Sequence, residues 1–182
     1  MTVKEFDEFV ERQHEAGDFD WVRERDEWLA HLDELYRKIE TMLNVYTSSG
    51  QIGIRYKTID LNEENIGSYQ ARQMILRIGR QEVDLVPAGT RFIGFKGFVD
   101  VIGSAGKSSL VLASRDRRFT VQGTKVTELI KTSNKFRSGS EPVSSFAKAE
   151  WVWKILPRPP GRELDEVTPE NFFQLLMEVT NG

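Results

Sequence analysis

Apolar residues recur every three or four positions over the first quarter of the chain, which is the period of one face of an α-helix. This pattern predicts a short helix over residues 2–15 and a longer helix that ends near Val45. In the short helix, Phe6, Phe9 and Val10 share one face. The stripe of the longer helix is wider than a coiled-coil seam, so we expect most of it to pack within the same chain. Its members are Trp28, Leu32, Leu35, Ile39 and Met42.

Beyond the long helix the period of the apolar residues changes to two, which is typical of β-strands with one buried face. The alternation changes parity after Tyr56, and this change predicts a bulge at Lys57 or Thr58. The polar residues 60–68 predict a connection between strands. The further predicted strands are Gln73–Arg80, Glu82–Val86, Arg91–Phe95, Phe98–Ile102, Ser109–Ala113, Phe119–Gln122, Lys125–Ile130 and Trp151–Ile155.

The predicted strands follow one another through short connections, which can join only antiparallel neighbours. Thr168 and Pro169 predict the N-cap and the first residue of a C-terminal helix. The sequence therefore predicts an α+β fold, with an antiparallel, strongly curved sheet, N-terminal helices and a C-terminal helix. Six glycines between residues 79 and 106 would permit sharp bends, so a partly closed barrel is the alternative.

Charge is segregated along the chain. Residues 1–53 hold six Lys/Arg and thirteen Asp/Glu, whereas residues 54–160 hold eighteen and ten. Residues 161–182 hold one and five, which leaves a net charge of −3 for the chain. Clustered charge of this kind either marks a surface that binds a partner or allows the acidic ends to fold over the basic middle.

The same shifts in composition predict the organisation of the chain. We expect an acidic helical segment over residues 1–46 and a basic antiparallel β domain over residues 52–156. A proline linker and the C-terminal helix occupy residues 157–182. We expect these segments to form one structural unit, because a chain of 182 residues can bury a single sizeable core.

The sequence offers little catalytic chemistry. The absence of cysteine excludes disulfides, a thiolate nucleophile and zinc sites with sulfur ligands. The two histidines, His14 and His31, stand in no metal-binding spacing, so we expect neither a metal nor a cofactor. The Gly-Lys-Ser run at 106–108 matches only the end of a phosphate loop. Val101 stands where the first glycine is required, and predicted strands flank the run on both sides, so we expect a hairpin tip.

Aromatic and basic residues alternate around residue 95, as they do on surfaces that bind single-stranded nucleic acid. Phe92 and Lys96 share one face of a predicted strand, and Phe98 joins them if Gly97 leaves the pleat intact. The alternative is that both faces of the sheet are covered and the aromatic residues belong to the core. The other cations of this candidate surface are Arg91, Arg115, Arg117 and Arg118.

Residues 131–148 predict a long loop that is rich in serine, lysine and glycine. Such a stretch has little apolar surface to offset the entropy of ordering it. We expect a mobile loop that becomes ordered on a partner, with Phe136 as the apolar anchor between Lys135 and Arg137. The alternative is a simple spacer between two strands.

These features favour a non-enzymatic binding or assembly protein that acts through protein–protein contacts, with a partner protein or by self-association. A nucleic-acid-binding module that uses the basic β segment is the alternative, and an enzyme of unknown class ranks third. No apolar run approaches the length of a membrane span, and the N-terminus lacks the pattern of a signal peptide. We therefore expect a cytoplasmic protein without membrane contacts.

Overall fold

The structure is a computed structural model of the 182-residue chain. It describes residues 3–17, 20–90, 95–115, 118–122, 125–129, 150–156 and 163–181. In these parts of the chain the helices are α1 (Val3–Gly17), α2 (Trp21–Ser48) and α3 (Pro169–Asn181). The strands are β1 (Ile52–Glu63), β2 (Gly67–Ile78), β3 (Gln81–Gly89), β4 (Phe95–Ile102), β5 (Lys107–Ser114), β6 (Arg118–Gln122), β7 (Lys125–Leu129), β8 (Trp151–Ile155) and β9 (Asp165–Glu166).

Seven of these strands form one antiparallel sheet in the order β1-β2-β3-β4-β5-β8-β9, and β6 pairs with β7 in a separate hairpin. The α+β class with an antiparallel sheet is therefore confirmed. The predicted strong curvature and the alternative of a partly closed barrel are wrong. Within the described residues the sheet is open, with β1 at one end and β9 at the other.

Three of the glycines that would bend the sheet have other roles. A Cβ atom at Gly97 would overlap the ring of Trp28, and one at Gly103 would overlap the backbone carbonyl of Val179. Gly79 has a φ of +61° in the turn between β2 and β3, a conformation that L side chains rarely adopt. These glycines therefore form a turn and allow α2 and α3 to approach closely, which explains why they do not curl the sheet.

The main hydrophobic core of the described residues lies between a single face of the sheet and the helices α2 and α3. In α2 the predicted stripe is buried, with Trp28 and Leu35 completely inaccessible and Met42 half-buried. The rings of Trp28 and Trp153 are 6.0 Å apart, so α2 also packs against β8. The prediction that the stripe packs within its own chain is confirmed. The buried residues of α3 are Phe172, Leu175, Leu176 and Val179.

The strands β1 and β2 form a long hairpin in which twelve consecutive residue pairs stay in register. The connection predicted over residues 60–68 is therefore wrong, because most of these residues are paired in the two strands. The predicted bulge at Lys57 or Thr58 is also wrong, since the register passes through both residues without a shift. The change of parity that suggested the bulge has another cause.

We attribute the change to the twist of the hairpin. β3 pairs with β2 only from Met74 onwards, so the distal half of the hairpin is a two-stranded ribbon. Ribbons of two strands twist more strongly than wider sheets. The twist turns the opposite face of the ribbon towards the core beneath α2. The residues that reach the core in this way are Ile59, Leu61, Tyr69 and Ala71.

The turn between β4 and β5 closes on the C-terminus of α3. The amide of Ala105 donates to the carbonyl of Val179 at 2.8 Å, and the Ser104 hydroxyl donates to that of Thr180 at 3.1 Å. These bonds satisfy carbonyls that a helix leaves unpaired at its end. The Gly-Lys-Ser run therefore belongs to a hairpin, as predicted. The turn of this hairpin lies at the C-terminus of α3, which is the negative end of the helix dipole.

Candidate protein-binding surfaces

Helix α1 presents an apolar stripe to solvent. Phe6, Phe9 and Val10 are 53%, 50% and 47% exposed, and the two phenylalanine rings are 6.3 Å apart. Their spacing places them on one face of the helix. Every side chain from Val3 to Val10 is exposed. A contiguous exposed apolar stripe of this kind indicates a contact surface.

An isolated helix of the length of α1 has little stability of its own. It contains 15 residues, and helices of about 12–15 residues are marginal in water because the first turn is costly to form. Helices of this length are normally stabilised by packing of their apolar face. Among the described residues, neither core cluster includes a residue of α1. A partner that covers the stripe would therefore stabilise the helix itself.

A second candidate surface is the groove between α2 and β1. β1 is an end strand, and β2 is its only strand neighbour in the described sheet. A polar cavity of about 410 Å³ lies in the groove, and a second cavity of about 390 Å³ extends along α2. The larger cavity is lined by Asp33, Tyr36, Arg37, Glu40, Tyr56 and Arg72.

Most polar groups of the groove are bonded to one another. The Tyr36 hydroxyl donates to the backbone carbonyl of Arg72 at 2.6 Å, and the Arg72 guanidinium donates to Asp33 at 2.7 Å. The same guanidinium lies 4.7 Å from the centre of the Tyr56 ring, a distance typical of a cation–π contact. The Tyr56 hydroxyl donates to Glu40 at 2.5 Å. These bonds hold α2, β1 and β2 together and fix the walls of the groove.

The ionisation of these groups favours binding over proton transfer. Burial raises the pKa of Tyr36 and of Tyr56 above the usual 10.0, and the hydrogen bond to Glu40 raises the pKa of Tyr56 further. The hydrogen bond to Asp33 raises the pKa of Arg72. At neutral pH the two hydroxyls are therefore neutral donors and Arg72 is a cation. A general acid or base works best with a pKa near the operating pH, which these three groups do not have.

The structure turns Lys96 towards α2. A register shift between Phe95 and Gly97 marks a bulge in β4, and a bulge re-aims the side chains within it. The Lys96 ammonium lies 2.6 Å from Glu27 and 3.5 Å from Glu24, and its side chain is only 9% exposed. At this point the acidic helical segment folds over the basic sheet and pairs with it.

Phe98 lies on the other face of the sheet. It packs against a small cluster formed by the buried residues Phe95, Val111 and Ala113, and is itself half-buried. The bulge in β4 breaks the alternation on which the predicted surface depends. The structure therefore does not bring Phe98 and Lys96 together.

The remaining predicted site residues are scattered or lie outside the described parts of the chain. Arg115 pairs with Glu150 at 3.2 Å, and both side chains are exposed. The backbone of Arg118 begins β6. The residues outside the described ranges are Arg91, Phe92 and Arg117 of the nucleic-acid surface, and Lys135, Phe136 and Arg137 of the long loop. The partner-binding role of the loop stays a prediction.

Sequence reasoning missed a buried carboxylate at the end of β1. Glu63 is 5% exposed and accepts bonds from the Tyr69 hydroxyl, the Thr90 amide at 3.0 Å and the Thr90 hydroxyl at 2.7 Å. A Cβ atom at Gly89 would lie 2.8 Å from the carboxyl carbon of Glu63, so glycine leaves room for the carboxylate. An acidic residue in a predicted polar connection carries no signal of burial. This cluster joins the end of the twisted ribbon to the end of β3.

In the described ranges, no three His, Asp or Glu side chains form a group that could hold a metal ion. None of the helices in those ranges is both long enough and apolar enough to span a membrane. Comparisons of the chain with family models, curated proteins and solved structures found no match. Function is therefore inferred from the two surfaces.

Proposed function

We propose that the protein is a non-enzymatic assembly protein whose copies associate through the apolar stripe of α1. The observation that carries this proposal is that Phe6, Phe9 and Val10 are half-exposed on one face of a helix whose described side chains belong to neither core cluster. Fully burying a phenylalanine side chain contributes about 1.5–3 kcal/mol. Amphipathic helices bind grooves through anchors at this spacing. Association would stabilise α1 and the assembly together.

Charge favours a second copy as the partner of α1. Residues 3–17 hold five Asp/Glu and two Lys/Arg, whereas residues 54–160 hold eighteen Lys/Arg and ten Asp/Glu. The helix of one copy is therefore complementary in charge to the β segment of another. Complementary charge speeds association and selects the orientation of the partners.

Pairing of the basic residues on the main sheet disfavours nucleic-acid binding through those residues. The same pairing limits what they add to binding of the acidic helix, so the apolar stripe supplies most of the affinity. A cation that already pairs with a carboxylate can neutralise a phosphate only if that pair breaks, which reduces the gain from releasing counterions. Six cations of the described sheet region pair in this way, one of them Lys154 with Glu166. The other five are Arg55, Arg72, Lys96, Lys107 and Arg115.

The proposal is tested by the molar mass of the full chain, measured by size-exclusion chromatography with light scattering. We expect an oligomer at about 0.1 mM that dissociates on dilution and at high salt, because salt screens complementary charges. The double variant Phe6→Asp/Phe9→Asp should be monomeric. Because a buried aromatic anchor contributes about 2 kcal/mol or more, loss of two anchors should raise the dissociation constant about a thousandfold. The melting temperature of its monomer should match that of the wild-type monomer, since both side chains lie outside the core.

Met177→Asp is the matched control, because Met177 is 59% exposed on α3 rather than on α1. This variant should associate as the wild type does. Dissociation by Met177→Asp together with unchanged association of the α1 variant would place the interface on α3 and contradict the proposal. A wild-type chain that stays monomeric at about 0.1 mM would contradict it as well.

A further inference from the structure

The two polar cavities beside α2 share two side chains of opposite charge. Arg37 and Glu40 line both the cavity of about 410 Å³ and the cavity of about 390 Å³. The two residues are three positions apart in α2, which makes their side chains neighbours on the helix surface. A molecule bound by both side chains would therefore lie at the junction of the two cavities. Cavities of this size are typical of sites for small molecules.

Both charged groups can accept a further partner. The Arg37 guanidinium makes one long bond, from Nε to the backbone carbonyl of Asp33 at 3.4 Å, and pairs with no carboxylate among the described residues. Glu40 accepts from the Tyr56 hydroxyl through Oε1, so its Oε2 has no donor in the described part of the chain. The other two charges of the larger cavity, Asp33 and Arg72, pair with each other at 2.7 Å. The groove therefore offers one guanidinium and one carboxylate and has no net charge.

We propose that this groove binds a free, polar α-amino acid in its zwitterionic form. The carboxylate of the ligand accepts hydrogen bonds from Arg37, whose planar guanidinium matches a carboxylate with two parallel bonds. The ammonium of the ligand donates to Glu40. An amino acid carries both groups on one carbon atom, so a single small molecule can reach two side chains that are neighbours on a helix. A phosphate or another simple anion would gain from Arg37 but would be repelled by Glu40.

The remaining lining selects the side chain of the ligand. Beyond Arg37 and Glu40, the smaller cavity is lined by Thr41 and Asn44, which offer a hydroxyl and an amide. A side chain with a carboxamide can donate to and accept from such groups, whereas an apolar side chain would leave them without partners. Glutamine and asparagine therefore fit better than leucine or valine. The site is separate from α1 and requires no association of the chain, so this proposal and the proposed function stand or fall independently.

The probe for this proposal is L-glutamine, titrated into the full chain up to about 10 mM while the NMR shifts of the backbone amides are recorded. For a dissociation constant of about 1 mM, about nine tenths of the sites are occupied at the end of the titration. We expect the largest shifts over residues 37–44 and at Tyr56. N-acetyl-L-glutamine lacks the ammonium, and the α-amide of L-glutamine lacks the carboxylate. Each should bind about tenfold to a hundredfold more weakly, because each loses one charged hydrogen-bonding group.

Variants then locate the site. Arg37→Gln and Glu40→Gln should each weaken L-glutamine binding at least about tenfold. Both side chains are exposed, and a glutamine at position 40 can still accept from Tyr56, so the fold should be retained. Lys38→Gln is the matched control and should bind as the wild type does, because Lys38 is exposed on α2 and lines neither cavity.

Three results would overturn the proposal. The first is the absence of shifts in the groove at about 10 mM L-glutamine. The second is equal affinity for L-glutamine and for the two analogues that lack one charge, since the zwitterion would then not be what is recognised. The third is unchanged affinity in Arg37→Gln or Glu40→Gln, which would place the ligand elsewhere on the molecule.

Discussion

The Tyr36 hydroxyl of α2 donates a hydrogen bond of 2.6 Å to the backbone carbonyl of Arg72, a residue 36 positions further along the chain. Arg72 lies in β2, at the point where the hairpin changes which of its two faces packs against the core. Its guanidinium also bonds to Asp33, one helical turn before Tyr36. Together these contacts hold the turning point of the ribbon against α2 and position the groove beside β1.

We expect Tyr36→Phe to destabilise the fold by about 1–3 kcal/mol, because it leaves the carbonyl of Arg72 without its donor in a half-buried place. The free energy of unfolding in urea measures this loss. The matched control is Tyr46→Phe, because Tyr46 is 39% exposed and its ring packs edge-on against Phe173. The control should change stability by less than about 0.5 kcal/mol. Equal effects of the two variants would show that the bond to Arg72 contributes nothing.

Gly97→Ala should destabilise the protein by about 1–3 kcal/mol or more, because the added methyl group overlaps the buried ring of Trp28. Gly53→Ala provides the control, since its added carbon would meet Arg77 only at 3.8 Å. We expect Gly53→Ala to be neutral or to stabilise by about 0.5–1 kcal/mol, because alanine loses less backbone entropy on folding. Thermal melting of both variants decides the point. An unchanged melting temperature of Gly97→Ala would contradict the close packing of α2 on β4.

The free energy of unfolding should fall in acid, partly because the Glu27 carboxylate becomes protonated. The hydrogen bond from Lys96, and after it the one from Arg23, lowers the pKa of Glu27 below the usual 4.5. A lowered pKa in the folded state contributes stability above about pH 4.5, which is lost as the pH falls through the folded value. Between pH 6 and pH 3 the wild type should therefore lose more unfolding free energy than Glu27→Gln. In a Lys96→Met background this difference should shrink, and an unchanged difference would exclude Lys96 as the main cause.

Three of the four tyrosines should resist ionisation in the native protein. Burial raises the pKa of Tyr36, Tyr56 and Tyr69 above 10.0, with further increases from bonds to Glu40 for Tyr56 and to Glu63 for Tyr69. A raised pKa contributes stability that is complete below about pH 10 and is lost as the pH rises through the folded values. Ultraviolet titration should show less tyrosinate at about pH 10 in the folded chain than in urea. Coincident titration curves would contradict this burial.

Helices α2 and α3 could be predicted because their signals are local. The apolar stripe of each helix is continuous, and the caps stand beside it. Asp20 accepts a bond from the Arg23 amide at 2.9 Å, and Thr168 accepts one from the Asn171 amide at 3.3 Å. The hydrophobic period and the capping residues lie within a few positions of each other, so no distant contact is needed to identify these helices.

The features that failed prediction depend on distant residues. The twist of the β1–β2 ribbon follows from where β3 stops pairing, and the bulge in β4 accompanies the pairing of Lys96 with Glu27 of α2. The pattern in α1 identified the face that carries Phe6 and Phe9. It could not show that Phe6 and Phe9 are about half-exposed, since periodicity reports which side chains share a face and not what packs against them.

Hydrogen exchange of the α1 backbone amides at several protein concentrations tests association through α1 most directly. A helix whose apolar stripe is uncovered opens readily, and a helix that is buried at an interface is protected. We predict rapid exchange of α1 in dilute protein and progressively slower exchange as the concentration rises, since association stabilises the helix by mass action. In Phe6→Asp/Phe9→Asp the exchange should stay rapid throughout. Exchange of the wild-type α1 amides at the same rate at every concentration would contradict association through this helix.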